Sequence, residues 1–329
     1  MPDTFLDQTL SHAIYFERYK THEVNQLIKV IDAANIACKA EISRTNGAAT
    51  KMRYIEIMRE IKKIRDDAVE KLDGQLQLDL FDFVKSESSF QEKTLKSVIS
   101  VKLEMTIPAP EKIYTAATFM PFAESETFET MMKKISNDFY SQWDMSVRSG
   151  YITGENAQVI NRRVLGSITN LQPGTMRKLR NALTTNTRTM LSHYAEQTRN
   201  SIYRANEDLF YGYKRIETLD SRTCLVCAAG DGKIYKSLDN APDLPAHHNC
   251  RGLYIPLIRG INNNEGERAS VDGPVEAKLT FEKWIKDQSE ERQKDFLGPS
   301  RYKLYKEGKP IGGFVVDGRI LTLKELENK

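Results

Sequence analysis

Asp220-Ser221-Arg222-Thr223-Cys224-Leu225-Val226-Cys227, answered by Pro245-Ala246-His247-His248-Asn249-Cys250-Arg251, is the stretch around which the 329-residue chain is organised. It gathers three of the four cysteines and two of the five histidines. Two cysteines separated by two residues sit well at a tight turn with both sulfurs pointing one way. A His-x-x-Cys pair further on brings the other half of a tetrahedron, which is the donor pattern of a structural zinc site. The competing reading is a chance cluster of ordinary thiols and a surface histidine. On the zinc reading the ligands are Cys224, Cys227, Cys250 and either His247 or His248.

The segments flanking this cluster read as short strands. Phe210 to Glu217 is aromatic-rich and alternating, Lys233-Ile234-Tyr235 follows a Gly230-Asp231-Gly232 turn, and Gly252 to Ile258 is apolar and β-branched. So small a β element buries little apolar surface of its own, so a metal is expected to supply folding energy.

Working outward, the rest is mostly helix. Val24, Leu27, Ile31, Ala34, Cys38 and Ile42 recur at helical spacing, and Cys38 reads as a small core residue. After an Asn46-Gly47 break, Thr50 is positioned to cap a second helix ending at Gly74, and a third runs from about Leu76 to Val98. Pro108, Pro110 and Pro121 mark a connector carrying a short helix at Glu111 to Ala117. Helices then run from about Thr127 to Arg148, Glu155 to Leu165 and Thr175 to Leu209, with a turn at Ser149 to Gly154. Asn262 to Gly273 reads as a linker or flexible loop. The last unit has a Thr280-capped helix, a stop at Gly298-Pro299, a short helix from Arg301 to Lys306, a hairpin around Asp317-Gly318 and a final Thr322-capped turn. The expected fold is therefore mainly α: long helical hairpins, a small zinc-knuckle-like β element and a small α+β C-terminal unit. The expected divisions are residues 1–100, a connector at 101–126, a core with the knuckle at 127–260, a linker at 261–279 and an extension at 280–329.

A net charge of +3 does not by itself announce a nucleic-acid binder. Between Arg162 and Arg215, however, ten Lys or Arg face three Asp or Glu, so this window carries +7 and the remainder −4. Arg177, Lys178, Arg180 and Arg188 are the candidate DNA contacts on that helix, against the alternative that basic side chains merely solvate it. The first apolar stretch, broken by Asp7, Gln8 and His12, does not read as a signal peptide. No run approaches a membrane span. So few cysteines in so long a chain point to a reducing compartment. His-Glu-x-x-His spacing is absent, since Gln26 stands where the second histidine after His22-Glu23 would be, and there is no deaminase signature. A zinc-containing His-Asn-His nuclease is a remaining alternative, weakened because no histidine follows His248. A stand-alone DNA-binding module is the other.

Several separated landmarks occur in one order: Leu219-Asp220-Ser221-Arg222-Thr223-Cys224-x-x-Cys227, Asp231-Gly232-Lys233-x-Tyr235, Pro245-x-His247-x-Asn249-Cys250-Arg251 and Pro256. This order resembles the signature of the phage Mu F-like minor head (head morphogenesis) protein family. Arg148-Ser149-Gly150 with Gly154, Gln197-x-Arg199 with Ala205-Asn206, Phe281-x-x-Trp284, Leu297-Gly298-Pro299-x-Arg301 and Thr322-Leu323 extend the resemblance from about residue 120 to the end. It implies a non-catalytic, low-copy virion protein of the capsid interior, present in the host cytoplasm during assembly. Such a protein acts with the portal and other head proteins, with contact to packaged double-stranded DNA left open and no membrane role. Carried over by position, the ligands are Cys224, Cys227, His247 and Cys250. His248 stands where the family often has proline, and Gly252 where it often has a second cysteine. Asp220, Arg222, Asn249 and Arg251 read either as partners that orient the ligands or as ordinary turn chemistry.

Overall fold

The computed structural model describes residues 4–44, 51–99, 104–167 and 172–327. Helices α1 (Phe5–Arg44), α2 (Lys51–Val98), α3 (Pro110–Phe119), α4 (Phe128–Thr153) and α5 (Ala157–Leu165) come first. A two-stranded ribbon, β1 (Gly166–Ser167) with β2 (Gln172–Pro173), leads into α6 (Met176–Ala205). Then follow β3 (Phe210–Ile216), α7 (Leu225–Gly230), β4 (Ile234–Tyr235), β5 (Leu253–Ile258), β6 (Glu267–Arg268) and β7 (Val275–Glu276). The chain closes with α8 (Phe281–Lys286), α9 (Glu290–Lys306), β8 (Val315–Val316), β9 (Arg319–Ile320) and α10 (Leu323–Glu327). The fold is mainly α, with small antiparallel sheets, as the sequence patterns predict. No helix of the described residues is long and apolar enough to cross a membrane.

The chain divides into two compact units, neither of them continuous in sequence. One comprises residues 1–16, 84–113 and 192–329; the other comprises 17–83 and 114–191. The boundaries fall inside helices, so the serial divisions expected from composition do not match the folded units. Within the second unit the α1 stripe from Val24 to Ile42 is buried throughout, Cys38 included. Tyr19 stacks on Phe83 with ring centroids 5.4 Å apart, and Trp143 of α4, fully buried, donates Nε1–H to Asn35 at 3.1 Å. The start of α4 is held by a reciprocal Thr127–Thr130 capping box, and its end by Gly154 at φ 69°, a conformation that suits glycine.

Several expectations need correcting. Gly74 does not end a helix: α2 runs straight through it. Leu72, Leu76 and Leu80 carry one buried stripe across the glycine, and its cost of about 1 kcal/mol is small beside that burial. The 149–154 turn is the last turn of α4, because Gly150 must lie against Ile160, where a larger side chain would collide. The 261–279 segment is no linker. It forms the β6–β7 hairpin, whose Arg268 is 3% exposed and anchored from several sides. The Asn46-Gly47 break and the Thr50 cap lie outside the described residues.

The first unit holds the three-stranded antiparallel sheet, ordered β4-β3-β5. β3 is central, with Tyr213 opposite both Tyr235 and Pro256, and Arg215 opposite Tyr254. One apolar cluster gathers Tyr203, Phe210, Tyr213, Tyr254, Ile255 and the buried Cys227 and Cys250. A second packs Leu225 and Ala228 of α7 against Phe281, Trp284, Phe314 and Leu321 of the C-terminal segments. The knuckle is thus wedged between two apolar cores. This corrects the expectation that it has little burial of its own to rely on.

Candidate metal centre

The local backbone explains how the ligands are aimed. Cys224 is the N-cap of α7, and its Sγ accepts the Cys227 N–H at 3.4 Å. The Cys-x-x-Cys pair therefore sits on the first turn of a short helix, not at the tip of a plain turn. Across from it, the Cys250 N–H bonds the His247 carbonyl at 3.1 Å, closing a turn in which Asn249 takes φ 58°. Asn tolerates this left-handed conformation better than most residues, which gives Asn249 its architectural role.

The side chains converge. His247 Nε2 lies 3.1 Å from Cys224 Sγ and 3.1 Å from Cys227 Sγ. These three donor atoms lie within 4.8 Å of one another, close enough to hold a metal ion. Cys250 stands outside that trio, with its Sγ 3.8 Å from Cys227 Sγ. That spacing matches the roughly 3.8 Å edge of a tetrahedron with about 2.3 Å metal–sulfur bonds. His247 Nδ1–H donates to the His248 carbonyl at 2.8 Å, which aims Nε2 at the sulfurs. The histidine at the cluster is therefore His247.

Of the four residues read as orienting partners, two form one unit. Arg251 grips Asp220 with both guanidinium arms at 2.7 and 2.6 Å, and Asp220 Oδ1 also accepts the Arg222 and Thr223 backbone N–H groups at 3.0 Å. Burial opposes ionisation of Asp220, but the Arg251 pair and these bonds hold its carboxyl below the usual range. Arg222 is exposed and contributes through its backbone N–H. Asp231 is the hub that sequence reading noted only as a landmark. It accepts from Glu217 N at 2.9 Å, Phe281 N at 2.8 Å and the Arg268 guanidinium, so it ties β3, α8 and β6 to the end of α7.

Two buried charged residues beside the cluster escaped the sequence reading. Arg215 on β3 and Glu217 just past its end are both buried and bonded to each other, and Arg215 Nη2 donates to Cys227 Sγ at 3.3 Å. The signal was an Arg-x-Glu pair inside an aromatic strand, where exposed charges would be out of place.

Comparisons with protein-family models, with curated proteins and with solved structures found no match. What the centre can do is therefore argued from its own chemistry.

Within the cluster, hydrogen bonds to Cys224 and Cys250, reinforced by burial, push the Cys227 thiol far above its usual range. The bond from Cys227 pulls Cys224 down to about 4, and likewise brings Cys250 down to about 5. His247, bonded to Cys224, is pushed up to about 9. Both Cys227 and His247 are thus shifted towards their protonated forms. A divalent ion competes with protons for these donors, so uptake should release protons. A pH indicator in weakly buffered solution measures this, and affinity should fall as the pH drops. Metal uptake without proton release would contradict the arrangement.

The basic window looks different in space. Arg199 and Arg215 are buried, Arg163 pairs with Glu155, Arg180 with Asp32, Arg188 with Glu17 and Arg204 with Asp239. Two of the four candidate DNA contacts, Arg180 and Arg188, are therefore engaged with acids from elsewhere in the chain. Arg177 and Lys178 are exposed. The +7 excess belongs to a window of sequence more than to a surface.

Proposed function

We propose that this chain is a minor structural protein of a phage head, acting with the portal inside the capsid during head assembly. In this reading its Cys/His centre holds a structural zinc ion and performs no turnover. The observation that carries it is the donor set. Cys224, Cys227 and His247 converge with Cys250 alongside, and Cys227 and Cys250 are each only 2% exposed. Three thiolates and one imidazole suit zinc, and a filled tetrahedron leaves no position for a reactive water. The ordered landmarks from Leu219 to Pro256 support the head-protein assignment. Contact with packaged DNA would fall to the exposed Arg177 and Lys178.

Elemental analysis of the purified protein should give about one zinc per chain. Mass-spectrometric counting in purified particles should place the chain in the virion at far fewer copies than the major shell protein. Its absence from particles would remove the assignment. Incubation with DNA and magnesium or manganese should leave the DNA intact. Robust cleavage, abolished by His247→Ala, would instead favour the His-Asn-His nuclease reading.

A further inference from the structure

Resting on the metal reading above, we propose that Arg215 is the positioning residue of the metal centre: its buried guanidinium donates a hydrogen bond to the Cys227 thiolate of the loaded site, and Glu217 holds it in place. A divalent ion with three thiolates and a neutral imidazole carries a net charge of −1. That charge is concentrated on the sulfurs, so a buried donor aimed at one of them stabilises it. Arg215 is 2% exposed and donates from Nη2 to Cys227 Sγ at 3.3 Å. Its Nε–H donates to Glu217 Oε1 at 2.7 Å. Its backbone is fixed as well, with its N–H on the Lys233 carbonyl and its carbonyl accepting from Gly232 N, both at 2.9 Å.

The chain around this pair is shaped to accommodate it. A Cβ on Gly230 would sit 2.8 Å from Arg215 Nη1 and 2.9 Å from its Cζ, so the last residue of α7 must be bare for the guanidinium to lie under the cluster. A Cβ on Gly252 would overlap the Glu217 carboxylate. Gly252 is the position where the related motif often has a further cysteine. Here that space belongs to the carboxylate that orients the arginine. Two glycines on separate segments thus form a cradle for one ion pair, and the cradle opens on Cys227. A hydrogen bond from a cation withdraws electron density from the thiolate, which lowers its nucleophilicity and slows its exchange off the metal.

The test uses the full chain loaded with zinc, and separately with cobalt(II), comparing wild type with Arg215→Met, Arg215→Lys and Glu217→Gln. Arg215→Met should still take up one metal ion but release zinc to a chromophoric chelator at least about tenfold faster. Its cysteines should be alkylated faster by iodoacetamide, and its thiolate-to-cobalt charge-transfer band should move to longer wavelength. Arg215→Lys, which keeps the charge, should recover part of each effect. Glu217→Gln should shift the band less than Arg215→Met does. If Arg215→Met does not fold, Gly230→Ala, which displaces the guanidinium without removing it, should produce the same band shift. Unchanged release and an unchanged band in the arginine variants would overturn the inference, as would equal effects from Arg215→Met and Glu217→Gln. A wild-type protein that binds no metal would instead overturn the zinc reading itself.

Discussion

On the proposed zinc reading, replacing Cys227 with serine is expected to reduce the zinc content from about one ion per chain to near zero and to loosen the β3–β4–β5 sheet. Cys227 is the ligand that touches every other member of the site: it lies 3.1 Å from His247 Nε2 and 3.8 Å from Cys250 Sγ, and its N–H bonds Cys224. It is also the acceptor for Arg215, whose guanidinium would lose that partner in the interior. Binding of a structural zinc ion is typically coupled to about 10–16 kcal/mol of folding free energy in small peptides. Here the flanking apolar cores retain part of the fold, so the expected loss is smaller, on the order of 3–5 kcal/mol, comparable to breaking a buried charged pair. Amide exchange should speed up first in β3, β4 and α7, and spread to α8 through the Asp231 bonds to Glu217 N and Phe281 N. A variant that keeps its zinc and its exchange protection would contradict the proposed centre.

Replacing Arg199 with methionine is expected to be comparably destabilising without touching a ligand. Arg199 of α6 reaches Glu87 of α2 at 3.2 Å and Glu196 at 2.8 Å, and Glu87 in turn lies 2.5 Å from His12 Nε2. Glu87 and Glu196 are each 1% exposed. Removing the guanidinium takes the cation from between two interior carboxylates, which should destabilise the fold by about 3–5 kcal/mol. The pH dependence gives the sign. Burial works against ionisation of Glu87, but His12 and Arg199 hold its carboxyl below the usual range. Its contribution in the wild type is therefore present above the unfolded carboxyl value and lost as the pH falls through the depressed folded one. In the variant, burial acts with less opposition and the folded value rises, so stability is lost as the pH climbs. The gap between the two proteins should be small near pH 4 and widen towards pH 7 in urea unfolding. A gap that is constant with pH would mean that Arg199 acts by packing alone.

The features legible in the sequence are those set by local periodicity and by chemically distinctive side chains. The α1 stripe from Val24 to Ile42 is buried residue for residue, and Cys224, Cys227 and His247 come together as their spacing suggests. Thr280 caps α8 through a bond from Lys283 N, as its position before an apolar run implied. What stayed hidden depends on tertiary context. Thr187, Thr198 and Arg199 interrupt the apolar stripe of α6 in sequence, yet all three are buried. That helix is packed on more than one face: Thr198 Oγ1 donates to the Tyr194 carbonyl one turn back at 2.8 Å, and Arg199 reaches Glu87 far along the chain. The same holds for Arg215: a basic residue in a basic window reads as solvated until the glycines that make room for it are seen in space.

The interleaving of the two units along the chain has a practical consequence for genetics. A fragment beginning at residue 127 would lack residues 17–83 and 114–126 of one unit, and residues 1–16 and 84–113 of the other. Deletion mapping by successive truncation would therefore report misfolding in place of lost contacts. Point substitutions and small internal insertions at loop positions are the tools by which partners of this chain can be assigned.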